Sequence, residues 1–266
     1  MINTSLPATP IFHLGPIPLT DAFLGAFIVM ILLVVVFWKV GKKFGVIPTR
    51  FQVVFEMLTE YVFEQLENAF GNKKKAQDFF PFFMTLLLFI LVANQLTLVP
   101  FLFQITYGGQ ALLRQPTSDF ALPITFALMI FLISNAMAFK ISPIKHLSNF
   151  IAIGPLLKAR SVMDIFNAII GFGIGFLNII GEFAKVVSLA SRLFGNVFAG
   201  NIMIAVIMAL SAYSQFLAPL PFIFLSTFSG LVQAFVFMLL SIQFIALAID
   251  GAQPDAPPAE EEVFAT

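Results

Sequence analysis

Long apolar runs dominate the chain and are separated by short polar segments. Five runs cover about residues 21–40, 80–103, 121–139, 164–212 and 214–249. A membrane-spanning helix needs about 20 mostly apolar residues, and only helices and closed barrels satisfy their backbone groups inside a bilayer. The pattern therefore predicts an all-α integral membrane protein with about five membrane helices.

A different periodicity lies between the first two runs, in FQVVFEMLTEYVFEQLENAF (51–70). Its four glutamates share one face and its apolar residues fill the other, which predicts an amphipathic helix over 48–72 at the inner surface. Lipid-bound helices of this kind usually carry basic residues on the polar face. The acidic face is therefore either solvated, on a helix packed against the bundle, or a docking surface for a partner. The glutamates are Glu56, Glu60, Glu64 and Glu67.

The fourth run is too long for one upright helix. At ~1.5 Å per residue, 164–212 would extend for roughly 72 Å, whereas the hydrocarbon core is ~30 Å thick. Two spans joined by a turn, or one steeply tilted helix, would each account for its length. Glycines within the run permit either a bend or close packing.

Composition supports the membrane assignment and excludes several chemistries. The chain is 59% hydrophobic and 11% charged, against about 25% charged residues in soluble domains. The net charge of zero indicates no nucleic-acid partner. The absence of cysteine excludes disulfides and thiolate metal sites. His13 and His146 lie far apart in sequence, so we expect no metal and no cofactor.

The positions of the basic residues predict the orientation. Cytoplasmic loops carry an excess of Lys and Arg, and no basic residue precedes the first run, so it lacks the n-region of a signal peptide. With the N-terminus outside and the C-terminus inside, eleven basic residues are cytoplasmic and only Arg114 is external. The eleven are Lys39, Lys42, Lys43, Arg50, Lys73, Lys74, Lys75, Lys140, Lys145, Lys158 and Arg160.

Polar residues of the fourth run form a one-sided stripe when 164–201 is placed on a helix. Most of them fall within about 60° of one direction, and only Ser191 and Asn201 point elsewhere. This distribution predicts a helix with one wet or partnered face through much of the bilayer. The stripe consists of Asp164, Asn167, Asn178, Glu182, Lys185, Ser188, Arg192 and Asn196.

Arg192 is the candidate functional charge of this stripe. Glu182 and Lys185 are neighbours at i, i+3 and can pair, either as a structural salt bridge or with a role in transport. Arg192 then has no acidic residue left in 165–249, and a guanidinium does not deprotonate in proteins. Intramembrane ionisable residues generally mark ion paths. We therefore expect its carboxylate partner on another chain.

The last run contributes polar groups without charge. Ser226, Ser229 and Gln233 share a face, and Gln233 would approach Arg192 if the two long segments run antiparallel. Ordinary hydrogen bonding between membrane helices also explains such residues.

At these positions the chain resembles subunit a of the rotary F-type ATP synthases, in a bacterial-type form. KVVSLASRLFGNVFAGN (185–201) is similar to the segment around that family's essential arginine, and LVQAFVFMLLSI carries its glutamine as Gln233. FHLGPIPLTDAFL near the start and ANQLTLVP at 93–100 also match, so the resemblance covers nearly the whole chain in order.

The resemblance implies a stator subunit with two long tilted helices against a rotating c-ring of hairpin subunits, each with one carboxylate. Two offset half-channels would carry protons to and from the ring, and Arg192 would separate them and lower the proton affinity of the ring carboxylate. Peripheral-stalk b subunits, the c-ring and the bilayer are the implied partners. The subunit would bind no nucleotide, and the implied location is the inner membrane.

The chain departs from the family at two positions. The residue nine after the arginine is commonly acidic or histidine and is Asn201 here, and a position that often carries His or Glu is Ser226. The outer path would then depend on water lined by Asn201, Ser226 and Gln233. We expect Glu182 to titrate on the inner path, and we assign Lys185, Ser188 and Asn196 to the proton path as well.

The main alternative to a stator subunit is a membrane protein of another functional class. A secondary ion transporter would predict repeated halves with broken helices, and the sequence contains no internal repeat. A membrane anchor would leave the polar stripe unexplained.

The predicted segments are an external segment at 1–20, a first membrane helix at 21–40, a helix pair at 80–139, a cytoplasmic loop at 140–162, a long tilted hairpin at 163–250 that lines the ion path, and an acidic, proline-rich cytoplasmic tail at 251–266.

Overall fold

A computed structural model describes residues 10–14, 17–42, 49–96, 106–107, 110–111, 115–150, 162–210 and 217–253. The predictions for the tail after 253 and for 151–161 of the loop lie outside these ranges. The helices are α1 (Asp21–Gly41), α2 (Arg50–Phe70), α3 (Lys73–Gln95), α4 (Ala121–Ile141), α5 (Pro143–Phe150), α6 (Val162–Leu210) and α7 (Leu220–Gly251).

The predicted fold class is confirmed. Five helices of the described residues, α1, α3, α4, α6 and α7, are long and apolar enough to cross a membrane. Two short antiparallel hairpins add a little β-structure that the sequence patterns did not predict. They pair β1 (Pro10–Leu14) with β2 (Ile17–Thr20) and β3 (Thr106–Tyr107) with β4 (Gln110–Ala111).

The acidic amphipathic segment is helix α2, and it is joined to α3 by a tight turn. Thr49 caps its start, and Gly71 ends it with φ 59°, in the left-handed region that favours glycine. Asn72 then caps the start of α3 through its side chain. Val62 and Leu66 are fully buried, whereas the four glutamates of α2 are exposed. The predicted amphipathicity is confirmed.

The long fourth run is one continuous helix, so the alternative of two spans joined by a turn is wrong. Helix α6 contains 49 residues without interruption. Its glycines do not break it, because a helical backbone tolerates glycine at about 1 kcal/mol each. At ~1.5 Å per residue the helix is roughly 74 Å long, so it fits a ~30 Å core only if it inclines steeply or extends beyond the core.

The chain divides into two compact units. The first comprises Met1–Pro123 with Ala190–Leu240, and the second comprises Ile124–Leu189 with Ser241–Thr266. Helices α6 and α7 therefore each contribute residues to both units.

Candidate functional site

Within the first unit, α6 and α7 run antiparallel and touch through small residues. The hydroxyl of Ser229 donates to Oδ1 of Asn196 at 2.6 Å. One turn away, a Cβ placed on Gly200 would lie 2.5 Å from Oγ and 3.3 Å from Cβ of Ser226, so a larger residue here would force Ser226 to move. Close contacts between small residues and interhelical hydrogen bonds are the usual means of helix association in membranes.

This register places Gln233 level with Arg192. One turn back from Asn196 on α6 is Arg192, and one turn forward from Ser229 on α7 is Gln233. Arg192 is exposed, while Leu189 and Leu193 beside it are buried. The side chain of Gln233 is 7% exposed, and its Nε2 has no hydrogen-bond partner among the described residues.

A buried cluster of neutral amides lies in the same unit. Nε2 of Gln115 donates to the carbonyl oxygens of Ala93 and Asn94 at 3.3 and 3.2 Å. Oε1 of Gln115 accepts from Nδ2 of Asn201 at 3.2 Å. Oδ1 of Asn94 accepts from the hydroxyl of Thr117 at 2.9 Å. Gln115 therefore joins the end of α3 to the C-terminal part of α6 through groups that do not titrate near neutral pH.

The end of α3 also bonds to the backbone of α7. Nδ2 of Asn94 donates to the carbonyl of Gly230 at 3.0 Å, and Nε2 of Gln95 donates to the carbonyl of Thr227 at 3.1 Å. A Cβ on Gly230 would lie 3.1 Å from Cβ of Asn94. Glycine at this position therefore permits the two backbones to approach.

The second unit contains the ion pair predicted from the sequence. Nζ of Lys185 lies 2.5 Å from Oε1 of Glu182 and 5.6 Å from the centre of the Phe244 ring. The pair lines a small cavity together with Ser134 and Phe131 of α4. The partly buried ion pair thus borders a small, mostly apolar recess, to which Ser134 adds a hydroxyl.

His146, in the short helix α5, lies near this pair. Its Nε2 is 3.0 Å from Oδ1 of Asn135, and its ring packs edge-on against Phe139. Burial lowers the pKa of His146 from its usual value, because removal from water disfavours the imidazolium form, while the carboxylate of Glu182 acts in the opposite direction.

The structure brings together only part of the predicted set. Asn196, Asn201, Ser226 and Gln233 lie in the first unit with Arg192, and Glu182, Lys185 and Ser188 lie in the second. Ser188 is exposed, as are Asn178 and Arg192, whereas the side chains of Asp164 and Asn167 lie outside the described set.

Sequence reasoning missed the amide cluster and His146. The segment ANQLTLVP pointed to Asn94 and Gln95 as part of a motif but suggested no contact. Gln115 follows Arg114 in a connecting segment with no periodic pattern. His146 was considered only as a metal ligand, and its distance in sequence from His13 gave no reason to expect a contact.

These features define a class of protein. It is a polytopic membrane protein in which two long antiparallel, membrane-spanning helices carry an arginine, Arg192, and the amide side chains of Asn196 and Gln233. Comparison with known proteins narrows this class. The family described as "ATP synthase A chain" matches residues 23–246. The ATP synthase subunit a of Moorella thermoacetica is 29% identical over 249 residues, which cover 93% of this chain and 99% of the relative. The subunit a of Desulfosudis oleivorans is 30% identical over 225 residues, covering 85% and 86%.

The chain belongs to the ATP synthase A chain family. The match includes α6 and α7 up to residue 246, and therefore Arg192 and Gln233. Membership makes the chain a multi-pass subunit of the membrane sector of an ATP synthase, the sector that translocates protons.

Proposed function

We propose that this chain is the stator of a rotary motor, in which two half-channels pass protons to a rotating ring of carboxylate-bearing subunits. The observation that supports the proposal most strongly is the exposed Arg192 on α6 level with the buried Gln233 on α7. Ionisable residues within membrane-spanning segments generally mark ion paths.

Arg192 acts on the partner carboxylate by charge. A nearby positive charge favours the ionised form of a carboxylate and lowers its pKa. A ring carboxylate that arrives protonated therefore releases its proton near Arg192, and the guanidinium blocks direct passage of protons between the half-channels. The driving force is ~2.3 kcal/mol per charge per 100 mV, so several protons are needed for each ATP made on the soluble head.

The two polar clusters serve opposite sides of the membrane. Asn201, Ser226 and Gln233 line the outer half-channel, together with Asn196. Glu182, Lys185 and Ser188 line the inner one, with Glu182 as its titrating group. The positive-inside pattern supports an external N-terminus and a cytoplasmic C-terminus in the bacterial inner membrane. The peripheral-stalk b subunits hold the chain against the torque of the c-ring.

The test is proton transport in inverted membrane vesicles that carry Arg192→Ala. ATP-driven acidification is expected to be lost while the complex stays assembled, and passive proton leak is expected to rise after the soluble head is stripped. Ser191→Ala is the matched control, since Ser191 is exposed next to Arg192 on α6 and points away from the stripe. Normal pumping by Arg192→Ala would show that the guanidinium is only structural.

Glu182 is tested by Glu182→Gln, which preserves shape and removes the titrating group. Pumping is expected to fall and its pH profile to change, because the inner path loses its proton-exchanging carboxylate. Glu182→Asp is the control, since it keeps a titrating carboxylate at the same position. An unchanged rate and pH profile for Glu182→Gln would remove Glu182 from the path.

A further inference from the structure

Two buried oxygen atoms of the first unit have no hydrogen-bond partner among the described residues. They are Oε1 of Gln95 and Oγ1 of Thr227, and they belong to side chains of residues already joined by the bond from Nε2 of Gln95 to the Thr227 carbonyl. Buried polar groups nearly always have a protein or water partner. One water that reaches both oxygens would satisfy them, since buried waters typically make about three hydrogen bonds.

The neighbouring amides are engaged with each other. Gln115 uses Nε2 on two backbone carbonyls and Oε1 on Asn201, and Asn94 bonds to Thr117 and to the Gly230 carbonyl. Asn201 is thus held in place through its Nδ2. Among the described residues, the buried oxygens without a hydrogen-bond partner near the end of α3 are Oε1 of Gln95 and, on α7, Oγ1 of Thr227.

A third open group lies farther along α7. Nε2 of Gln233 is buried without a partner among the described residues and follows Thr227 by six positions, which is ~9 Å along a helix axis. Six positions also rotate the helix by about 600° at ~3.6 residues per turn, so the two side chains point about 120° apart and a straight file along the axis does not join them. The open groups of the two side chains are a hydroxyl, which both donates and accepts, and an amide donor.

We infer that Gln95 and Thr227 form a water-binding station in the outer half-channel, nearer the end of α3 than Gln233 and Arg192 are. The station takes the place of the titrating side chains that Asn201 and Ser226 do not supply. The inference rests on the proposed function, because it assigns residues to one half-channel of the same motor. A hydroxyl and an amide oxygen hold the water, and protons pass along it without ionising either side chain.

Water access is tested with single cysteines, for which the chain is suited because it contains none. Thr227→Cys is introduced in the assembled complex, and vesicles are treated with silver ion, which binds thiols that water reaches. ATP-driven pumping is expected to be lost in Thr227→Cys. It is expected to persist in Ala234→Cys, a control on α7 where the native side chain is fully buried. Resistance of Thr227→Cys to silver, or equal inhibition of both variants, would overturn the inference.

A second comparison decides the matter if the cysteine variant does not assemble. Thr227→Val keeps the side-chain shape and removes the hydroxyl, whereas Thr227→Ser keeps the hydroxyl. Passive proton flux through vesicles stripped of the soluble head is expected to fall about threefold to tenfold in the valine variant, the scale of one lost hydrogen bond, and to be retained in the serine variant. Equal flux in both variants would refute the station.

Failure of this inference is distinguishable from failure of the proposed function. If Arg192→Ala abolishes pumping while Thr227→Val conducts normally, only the water station is rejected. If Arg192→Ala pumps normally, the motor assignment of this site fails regardless of the result at Thr227.

Discussion

Replacement of Gly200 by alanine tests whether the contact between α6 and α7 is as tight as the structure shows. A Cβ at Gly200 would lie 2.5 Å from Oγ and 3.3 Å from Cβ of Ser226, both below ordinary contact distance. At Gly195, on the same helix, nothing lies within 4 Å of the corresponding position. Gly195→Ala is therefore a control with the same chemical change and no steric conflict.

The expected difference follows from two opposing terms. Alanine in place of glycine stabilises a helix by about 0.8–1 kcal/mol at either position. At Gly200 the added methyl also forces the neighbouring side chain or backbone to move, and overpacking of this kind costs typically about 1–3 kcal/mol. Gly200→Ala should thus be less stable than Gly195→Ala by about 1–3 kcal/mol, or roughly 2–12 °C at ~2–4 °C per kcal/mol for a chain of this size.

The assay is thermal denaturation of the full chain in mild detergent, without the other subunits. The double variant Gly200→Ala/Ser226→Ala removes the 2.5 Å contact and leaves the 3.3 Å one, so it should recover part of the loss. If Gly200→Ala melts at or above the temperature of Gly195→Ala, the close approach of the helices at this point is incorrect.

Three further predictions concern other parts of the chain. Gln115→Leu should lower stability by about 2–4 kcal/mol, because it removes two buried hydrogen bonds and one partly buried one. Thermal melts beside Thr117→Val, which removes one buried bond, should show the smaller loss for the valine variant. The stability of the wild-type chain should fall as pH drops below about 6.5, since the lowered pKa of His146 makes the unfolded state bind more protons than the folded state there. Thermal melts at pH ~7.5 and ~5.5 should show a weaker decline for His146→Gln than for the wild type. Gly71→Ala should cost about 1–2 kcal/mol, because φ is 59° at this helix end; melts that show no loss would contradict a left-handed cap.

The sequence by itself determined the helices and the charge that characterise this protein. Apolar runs of sufficient length predict spanning helices, because the bilayer core contains no water and each spanning segment must satisfy its backbone hydrogen bonds internally. The glutamates of α2 and the pairing of Glu182 with Lys185 follow from helical spacing alone. Arg192 was identified from the charges of its apolar run, as a positive charge for which no neighbouring acidic residue remained in the sequence.

Only the tertiary structure decided which distant groups meet. The 49 residues of α6 form one helix, although length and glycine content allowed two. Gln115 reaches Asn201 across 86 positions of sequence, and Ser226 of another helix lies against Gly200. Hydrogen bonds between neutral amides leave no periodic trace in a sequence, since each depends on how two separate elements are positioned. The partners of Asn201 and Gln95 therefore became evident only in the folded chain.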